Sequence, residues 1–305
     1  MVNGIINVYK EKGYTSFDVV AKLRGIFHQK KIGHTGTLDP DAQGVLPVCL
    51  GKATRVCDLL TDKDKVYKAV LLLGQETDTQ DISGQVLNQA EVNVTEQAVY
   101  DAISQFIGRQ KQVPPMYSAL KVNGKKLYEL ARAGKEVERQ ARHVDLPAIE
   151  ILEIRLPVVK FRVECSKGTY IRSLCADIGG KLGCGGTMQS LVRTRVGEFR
   201  LADALTLAQL QALRDTDRLE EALLPTDRIF ADFNAVHVEE KWRKLIDNGN
   251  AFYPGQTMEQ TTYPAGEWVR VYREDDSFVG IYAYDGVKEW YKPMKIFPSN
   301  TESRK

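Results

Sequence analysis

An aspartate in a glycine-rich loop is the first candidate for chemistry in this 305-residue sequence. Asp39 lies between Leu38 and Pro40 in the segment GHTGTLDPDAQGVLP, residues 33–47, where glycines would let a ligand backbone come close. An aspartate before proline is commonly a turn or cap residue, which is the structural interpretation. As a metal ligand it would lack partners, because Asp41 is the only acid nearby and no histidine cluster joins it. As a nucleophile or general base it would need a nearby cation and a pocket of low dielectric constant, and the residue types alone leave the three roles open.

Arg172 and Tyr67 could complete such a site. Arg172 lies near the start of a predicted helix after CSKGTY, residues 165–170, where free amides and a guanidinium could hold a carboxylate or phosphate. A surface salt bridge is the alternative role for Arg172. Tyr67 opens a predicted strand, and an ordinary core or edge aromatic is the alternative for its ring.

The histidines indicate no metal site. His34 shares the loop of Asp39, where a hydrogen bond to backbone or phosphate would suit an imidazole better than a metal ion would. The other three, His28, His143 and His237, belong to no group with the spacing of metal ligands. We therefore expect no metal in the site.

The order of the predicted helices and strands that must position these residues indicates an α+β fold. Strands and helices mix without strict alternation, which favours a mixed or antiparallel sheet. Strands are predicted at residues 5–9, 45–50, 66–73, 148–158 and 160–165. One helix is predicted to be capped by Ser16, with an inward face of Phe17, Val20, Leu23 and Phe27. A second is predicted after Thr95 with Val99, Ile103, Phe106 and Ile107, and a third at 171–182 with Ile171, Leu174, Cys175 and Ile178 inward.

The composition changes near residue 235. All three tryptophans lie beyond that point, together with short aromatic strands predicted at 268–272 and 277–284. This shift predicts two domains, a large one at residues 1–235 and a small β-rich one at residues 236–305.

Charge is distributed unevenly along a chain whose formal net charge is only +2. Lysine and arginine outnumber acids seven to three in residues 121–142 and eight to three in 160–200, whereas 201–235 holds seven acids and three arginines. One basic face on a nearly neutral protein would suit a nucleic acid or phosphate ligand. An ordinary solvated surface is the alternative.

The cysteines and the hydropathy pattern favour a cytoplasmic protein. Five cysteines are an odd number, and none forms a Cys-x-x-Cys pair, so reduced thiols are expected. The apolar run at residues 4–8 is too short for a signal peptide. No eighteen uncharged apolar residues occur together, so we expect no membrane span.

Four long segments occur in order over the first two hundred residues. They are GHTGTLDPDAQGVLP at 33–47, VYKAVLLLGQETDTQDISGQV at 66–86, QVPPMYSALKVNGKKLYELARAG at 112–134 and CSKGTYIRSLCADIGGKLGCGG at 165–186. Together they resemble the TruB family of tRNA pseudouridine synthases, and four ordered motifs are far more specific than one short pattern. The resemblance implies the pseudouridine synthase fold, with a mixed, mostly antiparallel sheet and a small PUA-like C-terminal domain that binds RNA.

The resemblance also implies roles for individual residues. Asp39 matches the catalytic aspartate of the family's Leu-Asp-Pro motif, and Arg172 matches the arginine that pairs with it. Tyr67 matches the tyrosine that stacks on the flipped uracil, and His34 matches the histidine that takes the place of the extruded base. The residues implied to bind substrate also include Lys10, of the N-terminal motif, and Tyr170, which lines the pocket in relatives.

Two departures from the family pattern concern positioning. Glu11 stands where relatives usually carry proline, and Gln43 stands where threonine is usual. Neither is the proposed nucleophile.

The basic stretch is predicted to be an RNA-binding insertion at about residues 116–145. Its glycine, lysine and arginine content suits phosphate contact more than core packing. Lys125 and Lys126 are the residues that we expect to contact the backbone of the T-arm.

The activity implied by the resemblance is isomerisation of the T-loop uridine at position 55 of tRNA to pseudouridine, by base flipping and aspartate nucleophilic catalysis. Such a rearrangement needs no cofactor, and we expect the enzyme to act on tRNA as a monomer, without guide RNA or an obligate protein partner. Three alternatives are a non-catalytic RNA-binding or chaperone protein, a guide-RNA-directed synthase and a metal-dependent hydrolase that uses Asp39.

Overall fold

The computed structural model describes residues 1–297. Its strands are β1 (Gly4–Lys10), β2 (Ile32–His34), β3 (Gln43–Leu50), β4 (Lys65–Leu73), β5 (Gln75–Thr77), β6 (Val86–Gln89), β7 (Gly108–Gln112), β8 (Lys121–Val122), β9 (Lys125–Lys126), β10 (Arg142–Leu146), β11 (Ala148–Arg155), β12 (Val158–Cys165), β13 (Gly186–Val196), β14 (Phe199–Arg200), β15 (Asn234–Val238), β16 (Trp268–Arg273), β17 (Phe278–Asp285) and β18 (Trp290–Ile296). Its helices are α1 (Ser16–Phe27), α2 (Cys57–Thr61), α3 (Glu96–Ser104), α4 (Leu127–Arg132), α5 (Ile171–Leu182), α6 (Leu207–Asp215) and α7 (Arg243–Asp247). Within these residues, no helix has the length and apolar character needed to cross a bilayer.

The main sheet is mixed and mostly antiparallel, which confirms the predicted fold class. Its strands lie in the order β1, β3, β13, β4, β12, β11, with β2 beside β3 and β14 beside β13. The β3–β13 pair is parallel and short, joining Val192 to Gln43 and Arg193 to Gly44. Gly44 has φ +106°, and a Cβ there would lie 2.2 Å from the carbonyl oxygen of Arg193. This approach of two strands therefore requires glycine.

The first helix packs on β1 and β3 with a face that differs from the prediction. Val20, Leu23 and Phe27 are buried as predicted, but the inward placement of Phe17 is wrong, because its side chain is 69% exposed. The buried stripe consists of Ser16, Val19, Val20, Leu23, Ile26 and Phe27. Residue 17 falls outside that stripe at the helical period of 3.6 residues.

Thr15, rather than Ser16, caps α1. The Thr15 hydroxyl accepts the N–H of Asp18 at 3.1 Å, and the Asp18 carboxylate accepts the N–H of Thr15 at 2.8 Å. The cap prediction was therefore wrong by one residue, and the hydroxyl of Ser16 is free to bind another segment.

The other two predicted helices differ in accuracy. The span of α5 agrees with the prediction, and all four of its predicted inward residues are buried. Thr95 caps α3 as predicted, but the helix ends at Ser104, so the extension through Phe106 and Ile107 was wrong. Gly108, with φ +94°, then turns the chain into β7.

The predicted RNA-binding insertion, at about residues 116–145, projects from the main sheet and is called the excursion below. Its base is closed by β7 and β10, which pair from Gly108 with Leu146 to Gln112 with Arg142. Beyond the base lie the β8–β9 hairpin and α4. The hairpin turns at Asn123 and Gly124, which both have positive φ, as a two-residue turn requires.

The C-terminal strands β15 to β18 form a separate four-stranded sheet with its own cluster of buried residues. Several buried residues of this C-terminal region do not join that cluster. Ile281 and Phe297 pack instead with Ile5 and Val45 of the main sheet. The two sheets are therefore connected through a shared apolar core.

Candidate active site

Asp39 and Arg172 form an ion pair at the centre of the site. Arg172 Nε lies 2.9 Å from Asp39 Oδ2, and Arg172 Nη2 donates to Asp39 Oδ1 at 3.3 Å. The Arg172 side chain is 5% exposed, whereas that of Asp39 is 38% exposed. The guanidinium is thus enclosed by protein while the carboxylate keeps an open side, which a nucleophile needs.

Arg172 is held from the other side by backbone. Its Nη1 donates to the carbonyl of Thr79 at 2.9 Å, and its Nη2 donates to the carbonyl of Tyr117 at 2.8 Å. Its position as the second residue of α5 fixes its backbone, and these contacts fix the orientation of its planar guanidinium group. The segments before β6 and before β8 are both joined to Asp39 through this one side chain.

The loop of Asp39 is anchored on both flanks by the N-terminal segment. The N–H of Leu38 donates to Ser16 Oγ at 3.0 Å, and the N–H of Gly13 donates to the carbonyl of Pro40 at 3.0 Å. The loop therefore has little freedom to move Asp39 away from Arg172.

Lys10 supports this loop from inside the protein. It is fully buried, and its Nζ donates to the carbonyls of Ala42 at 2.6 Å, Pro40 at 3.0 Å and Glu11 at 3.2 Å. Burial lowers the pKa of Lys10 to about 8, although the carboxylates of Asp39 and Asp41 oppose the shift. The substrate-binding role of Lys10 stays a prediction, and in this structure its ammonium contacts the backbone of the Asp39 loop.

A second carboxylate lies near the pair. Asp81 Oδ2 is 3.8 Å from Arg172 Nη1. Burial raises the pKa of Asp39 above its usual value, the Arg172 guanidinium opposes this, and the charge of Asp81 adds to the increase. The protonation of Asp39 thus depends on the balance between burial and Asp81, which favour the protonated form, and the charges of Arg172 and Lys10, which favour the ionised form.

Tyr67 and Arg193 lie together beneath the surface, beside the loop of Asp39. Tyr67 is 8% exposed on β4, and burial raises the pKa of its hydroxyl while the charge of Arg193 and a hydrogen bond from it oppose the shift. The buried Arg193 donates to the carbonyls of Val45 at 2.7 Å and Gly36 at 3.3 Å. One guanidinium therefore connects β3, the loop and the tyrosine.

His34 lies at the end of β2 as a neutral imidazole. Its Nδ1 accepts the N–H of Gly36 at 3.3 Å, which leaves the proton on Nε2. Burial, followed by the charge of Arg193, lowers the pKa of His34. The ring makes an edge contact with Phe17, with centroids 5.3 Å apart and planes at 89°.

The remaining predicted residues occupy two different places. Tyr170 precedes α5, and both its backbone N–H and its carbonyl bond to the side-chain amide of Gln112, at 2.8 and 3.0 Å. This fixes Tyr170 next to Arg172. Lys125 and Lys126 lie in the hairpin of the excursion, where the ammonium of Lys126 is 5.3 Å from the ring centroid of Tyr128. The structure does not bring these two lysines to the ion pair.

A cleft of about 80 Å³ opens over Asp39. Its walls are residues 39–42 of the loop, residues 81–83 and residues 188–191 of β13. A larger pocket of about 240 Å³ lies between α2 and residues 229–233, away from the ion pair and mostly apolar. Among the described residues, no three His, Cys, Asp or Glu side chains gather as metal ligands would.

Two family models match this chain. The N-terminal domain model of the TruB family pseudouridylate synthases matches residues 24–171, and the C-terminal domain model of tRNA pseudouridylate synthase B matches residues 172–231. A protein of Lachnoclostridium phytofermentans called tRNA pseudouridine synthase B is 53% identical, over 97% of this chain and 100% of that protein. The protein of the same name from Alkaliphilus oremlandii is 48% identical over 92% of each chain. The chain belongs to the TruB family.

Solved structures agree with the TruB-family assignment. A chain from an H/ACA RNP bound to a substrate RNA containing 2′-deoxyuridine has a TM-score of 0.71, with 26% identity over 98% of this chain and 86% of that one. A chain from a Cbf5–Nop10–Gar1 complex has a TM-score of 0.70, with 27% identity over 97% of this chain and 87% of that one. The pseudouridine synthase fold with a β-rich C-terminal domain is confirmed.

Sequence reasoning missed Asp81 and Arg193 in this TruB-family site. Asp81 lies in the turn-rich segment TDTQD, where an aspartate also suits a turn, since its carboxylate accepts from Thr79 and Ser83 nearby. Arg193 lies within β13, where a basic residue suggests an exposed face. Its burial, without a carboxylate of residues 1–297 in hydrogen-bonding contact, has no signature in local sequence.

Proposed function

We propose that this protein isomerises the T-loop uridine at position 55 of tRNA to pseudouridine, with Asp39 as the nucleophile. The observation that carries the proposal is the ion pair of an accessible Asp39 with an enclosed Arg172. Membership of the TruB family and relatives called tRNA pseudouridine synthase B support the reaction and the substrate. The roles of the individual residues rest on the site geometry.

The reaction is a rearrangement within one nucleotide. The bond from ribose C1′ to N1 of uracil breaks, a bond from C1′ to C5 forms, and the proton of C5 is replaced by one on N1. Asp39 forms a transient covalent bond to the ribose or to the base ring, which releases the base to rotate. Arg172 stabilises the carboxylate as the leaving group in the final step. Reactant and product have the same atoms and the same oxidation state.

The target base must leave the loop stack before Asp39 can reach it, which costs a few kcal/mol. We assign to Tyr67 the ring that stacks on the extruded uracil, and to Tyr170, two residues before Arg172, a place in the wall of the same pocket. His34 replaces the extruded base in the stack, where its Nε2–H donates a hydrogen bond to the RNA. The stacking on Tyr67 and the insertion of His34 offset the cost of extrusion.

The backbone of the T-arm is bound outside the cleft. The excursion at about residues 116–145 grips the phosphates through Lys125 and Lys126, and Lys10 assists indirectly by supporting the catalytic loop. We divide the chain into a catalytic domain, 1–235, and a PUA-like RNA-binding domain, 236–305. The separate sheet that begins at Asn234 supports this division.

The enzyme acts alone, as a monomer in the cytoplasm. Asp39, Tyr67 and Arg172 all come from one chain, and five free thiols suit a reducing compartment. The two solved structures are an H/ACA RNP bound to a substrate RNA and a Cbf5–Nop10–Gar1 complex, whereas the similar bacterial proteins are nearly the same length as this chain. Activity of the purified protein on bare tRNA tests this point directly.

The central experiment uses an unmodified tRNA transcript, chelator and no added cofactor, with pseudouridine mapped by chemical adduct formation and primer extension. Wild type should give one stop in the T-loop. Asp39→Asn should bind tRNA normally and lose turnover by at least about four orders of magnitude, since it cannot form the covalent bond. Tight binding by wild type without any stop would instead favour a non-catalytic RNA-binding function.

A further inference from the structure

Phe17 is a large apolar side chain exposed beside the catalytic loop. It is 69% exposed, while Val20 and Leu23 of the same helix are 3% and 0% exposed. One exposed apolar residue needs no explanation on its own. The contacts around Phe17 distinguish it from other exposed apolar residues.

The backbone of Phe17 is fixed relative to Asp39. The preceding residue, Ser16, accepts the N–H of Leu38 at 3.0 Å, one residue before Asp39. The capping box of Thr15 and Asp18 fixes the first turn of α1 on either side of Phe17. The ring is thus presented at a defined place rather than on a loose surface.

The ring of Phe17 is also fixed relative to His34. The two centroids are 5.3 Å apart, and the planes meet at 89°. Such an edge contact leaves much of the phenyl ring open, in agreement with its exposure. Perpendicular rings cannot both lie in one column of parallel bases. If His34 enters the base stack, Phe17 faces a base that is turned out of that stack.

We propose that Phe17 is a second RNA-contacting ring of the site, which stacks on a T-loop base adjacent to the flipped uridine and turned out of the stack. This inference rests on the proposed function, because it takes His34 to fill the vacated position. Nucleobases stack on exposed aromatic rings without regard to base identity. Phe17 would thereby hold the loop in the opened conformation that Asp39 requires.

The test measures affinity for a T-arm stem-loop RNA in the Asp39→Asn background, so that binding is not followed by turnover. Phe17→Ala should weaken binding about 5- to 150-fold, the range for loss of one stacked base. Phe17→Trp should bind the RNA with nearly the affinity of the parent protein, Asp39→Asn. The matched control is Tyr100→Ala, which removes another exposed aromatic, 48% exposed on α3, and should change nothing.

Replacing the loop bases one at a time by abasic sites identifies the stacking partner. At one position next to the target, the abasic RNA should bind the parent and Phe17→Ala equally, because the partner of the ring is already missing. Equal affinity of Phe17→Ala and parent for intact RNA would overturn the inference. The inference would also be overturned if Phe17→Ala lost affinity for every abasic RNA as it does for intact RNA. Phe17 would then act only by supporting His34.

Wild-type activity on the same stem-loop separates this inference from the proposed function. A wild type that forms no pseudouridine contradicts the proposed function. A wild type that forms it, with unimpaired RNA binding by Phe17→Ala, contradicts only the role of Phe17. Melting temperatures of the variants should match, because Phe17 is exposed and alanine is a good helix residue.

Discussion

The charges around Asp39 have opposite effects on its protonation. Arg172 contacts both carboxylate oxygens, at 2.9 and 3.3 Å, and favours the ionised form. Burial and the nearby Asp81 favour the protonated form. Because the proposed nucleophile can act only in its ionised form, the acid side of the pH–rate profile should report this balance.

Asp81→Asn should move the acid limb of kcat/KM to lower pH. Removing the negative charge eliminates one of the causes that raise the pKa of Asp39, so Asp39 stays ionised further into acid. The plateau rate should fall by about tenfold or more, because Arg172 loses the charge that lies 3.8 Å from its Nη1, keeps only the Thr79 carbonyl there, and holds Asp39 less accurately. The measurement is kcat/KM between pH 4 and 8 with a tRNA transcript.

Asp177→Asn is the control for that profile. Asp177 is also a carboxyl on α5 whose pKa burial raises, but no contact joins it to Asp39 in the described structure. Its neutralisation should leave the acid limb in place. A shift of the acid limb to higher pH in Asp81→Asn would mean that Asp81 stabilises the ionised form of Asp39, contrary to the geometry.

Single residues were predicted from the sequence to different extents. Asp39 and Arg172 are 133 residues apart, so no local spacing pairs them, and their contact followed from the family resemblance. Asp81 and Arg193 were missed because turn aspartates and strand arginines are common. Their importance lies in contacts between distant segments, which one sequence does not encode locally.

Among the elements, helix periodicity predicted α5 well and α1 less well. The inward residues of α5 all fall on one stripe of a helix that packs on the sheet. In α1 the stripe is shifted so that Phe17 lies outside it, and periodicity alone cannot choose between neighbouring registers of an apolar stripe. The error matters here, because Phe17 is exposed next to His34.

The β8–β9 hairpin provides a test of the basic excursion. Lys125→Glu with Lys126→Glu should weaken tRNA binding and reduce the slope of log affinity against log salt by about one per lost phosphate contact. The hairpin turn at Asn123 and Gly124 is unchanged, so the fold of the excursion should persist. Binding is measured between about 50 and 200 mM salt.

Arg218→Glu with Arg228→Glu is the matched control for the hairpin. Both arginines have side chains about 60% exposed and lie in the acidic stretch 201–235. Their reversal adds the same negative charge without touching the basic face. Equal losses in the two double variants would attribute the effect to net charge rather than to the excursion.

For the whole molecule, the two sheets are joined by a common interior. Ile281 and Phe297 are buried with Ile5 and Val45, and the ring of Phe278 lies 6.2 Å from that of Phe230. At the edge of the junction, Lys295 pairs with Asp58 at 2.7 Å. The composition shift near residue 235 predicted the second unit but could not reveal that its side chains complete the first.

Removal of residues 234–305 should therefore destabilise the remaining chain. Exposure of the surface that Ile281 and Phe297 cover costs at least about 3 kcal/mol, at roughly 1.5–3 kcal/mol for each buried side chain. A decrease in melting temperature of about 6–12 °C is expected for a chain of this size. Calorimetry or circular dichroism of the truncated protein measures it.

Asp58→Asn separates the stability contributed by the shared core from that contributed by the Lys295–Asp58 ion pair. Asp58 is 66% exposed, and an exposed pair contributes at most about 1 kcal/mol. The full-length variant should melt within about 3 °C of wild type. A truncated chain as stable as wild type would show that the shared core adds nothing.

The shared core also limits how the two halves can change during evolution. A C-terminal unit inherited from a distant relative would bring its own residues at positions 281 and 297, and these would face a surface shaped by residues 5 and 45. Recombination at the domain boundary would therefore produce mismatched hybrids unless both surfaces were exchanged together. The two parts of this chain should therefore have been inherited together. Chimaeras made in the laboratory should need compensating changes in β1 and β3.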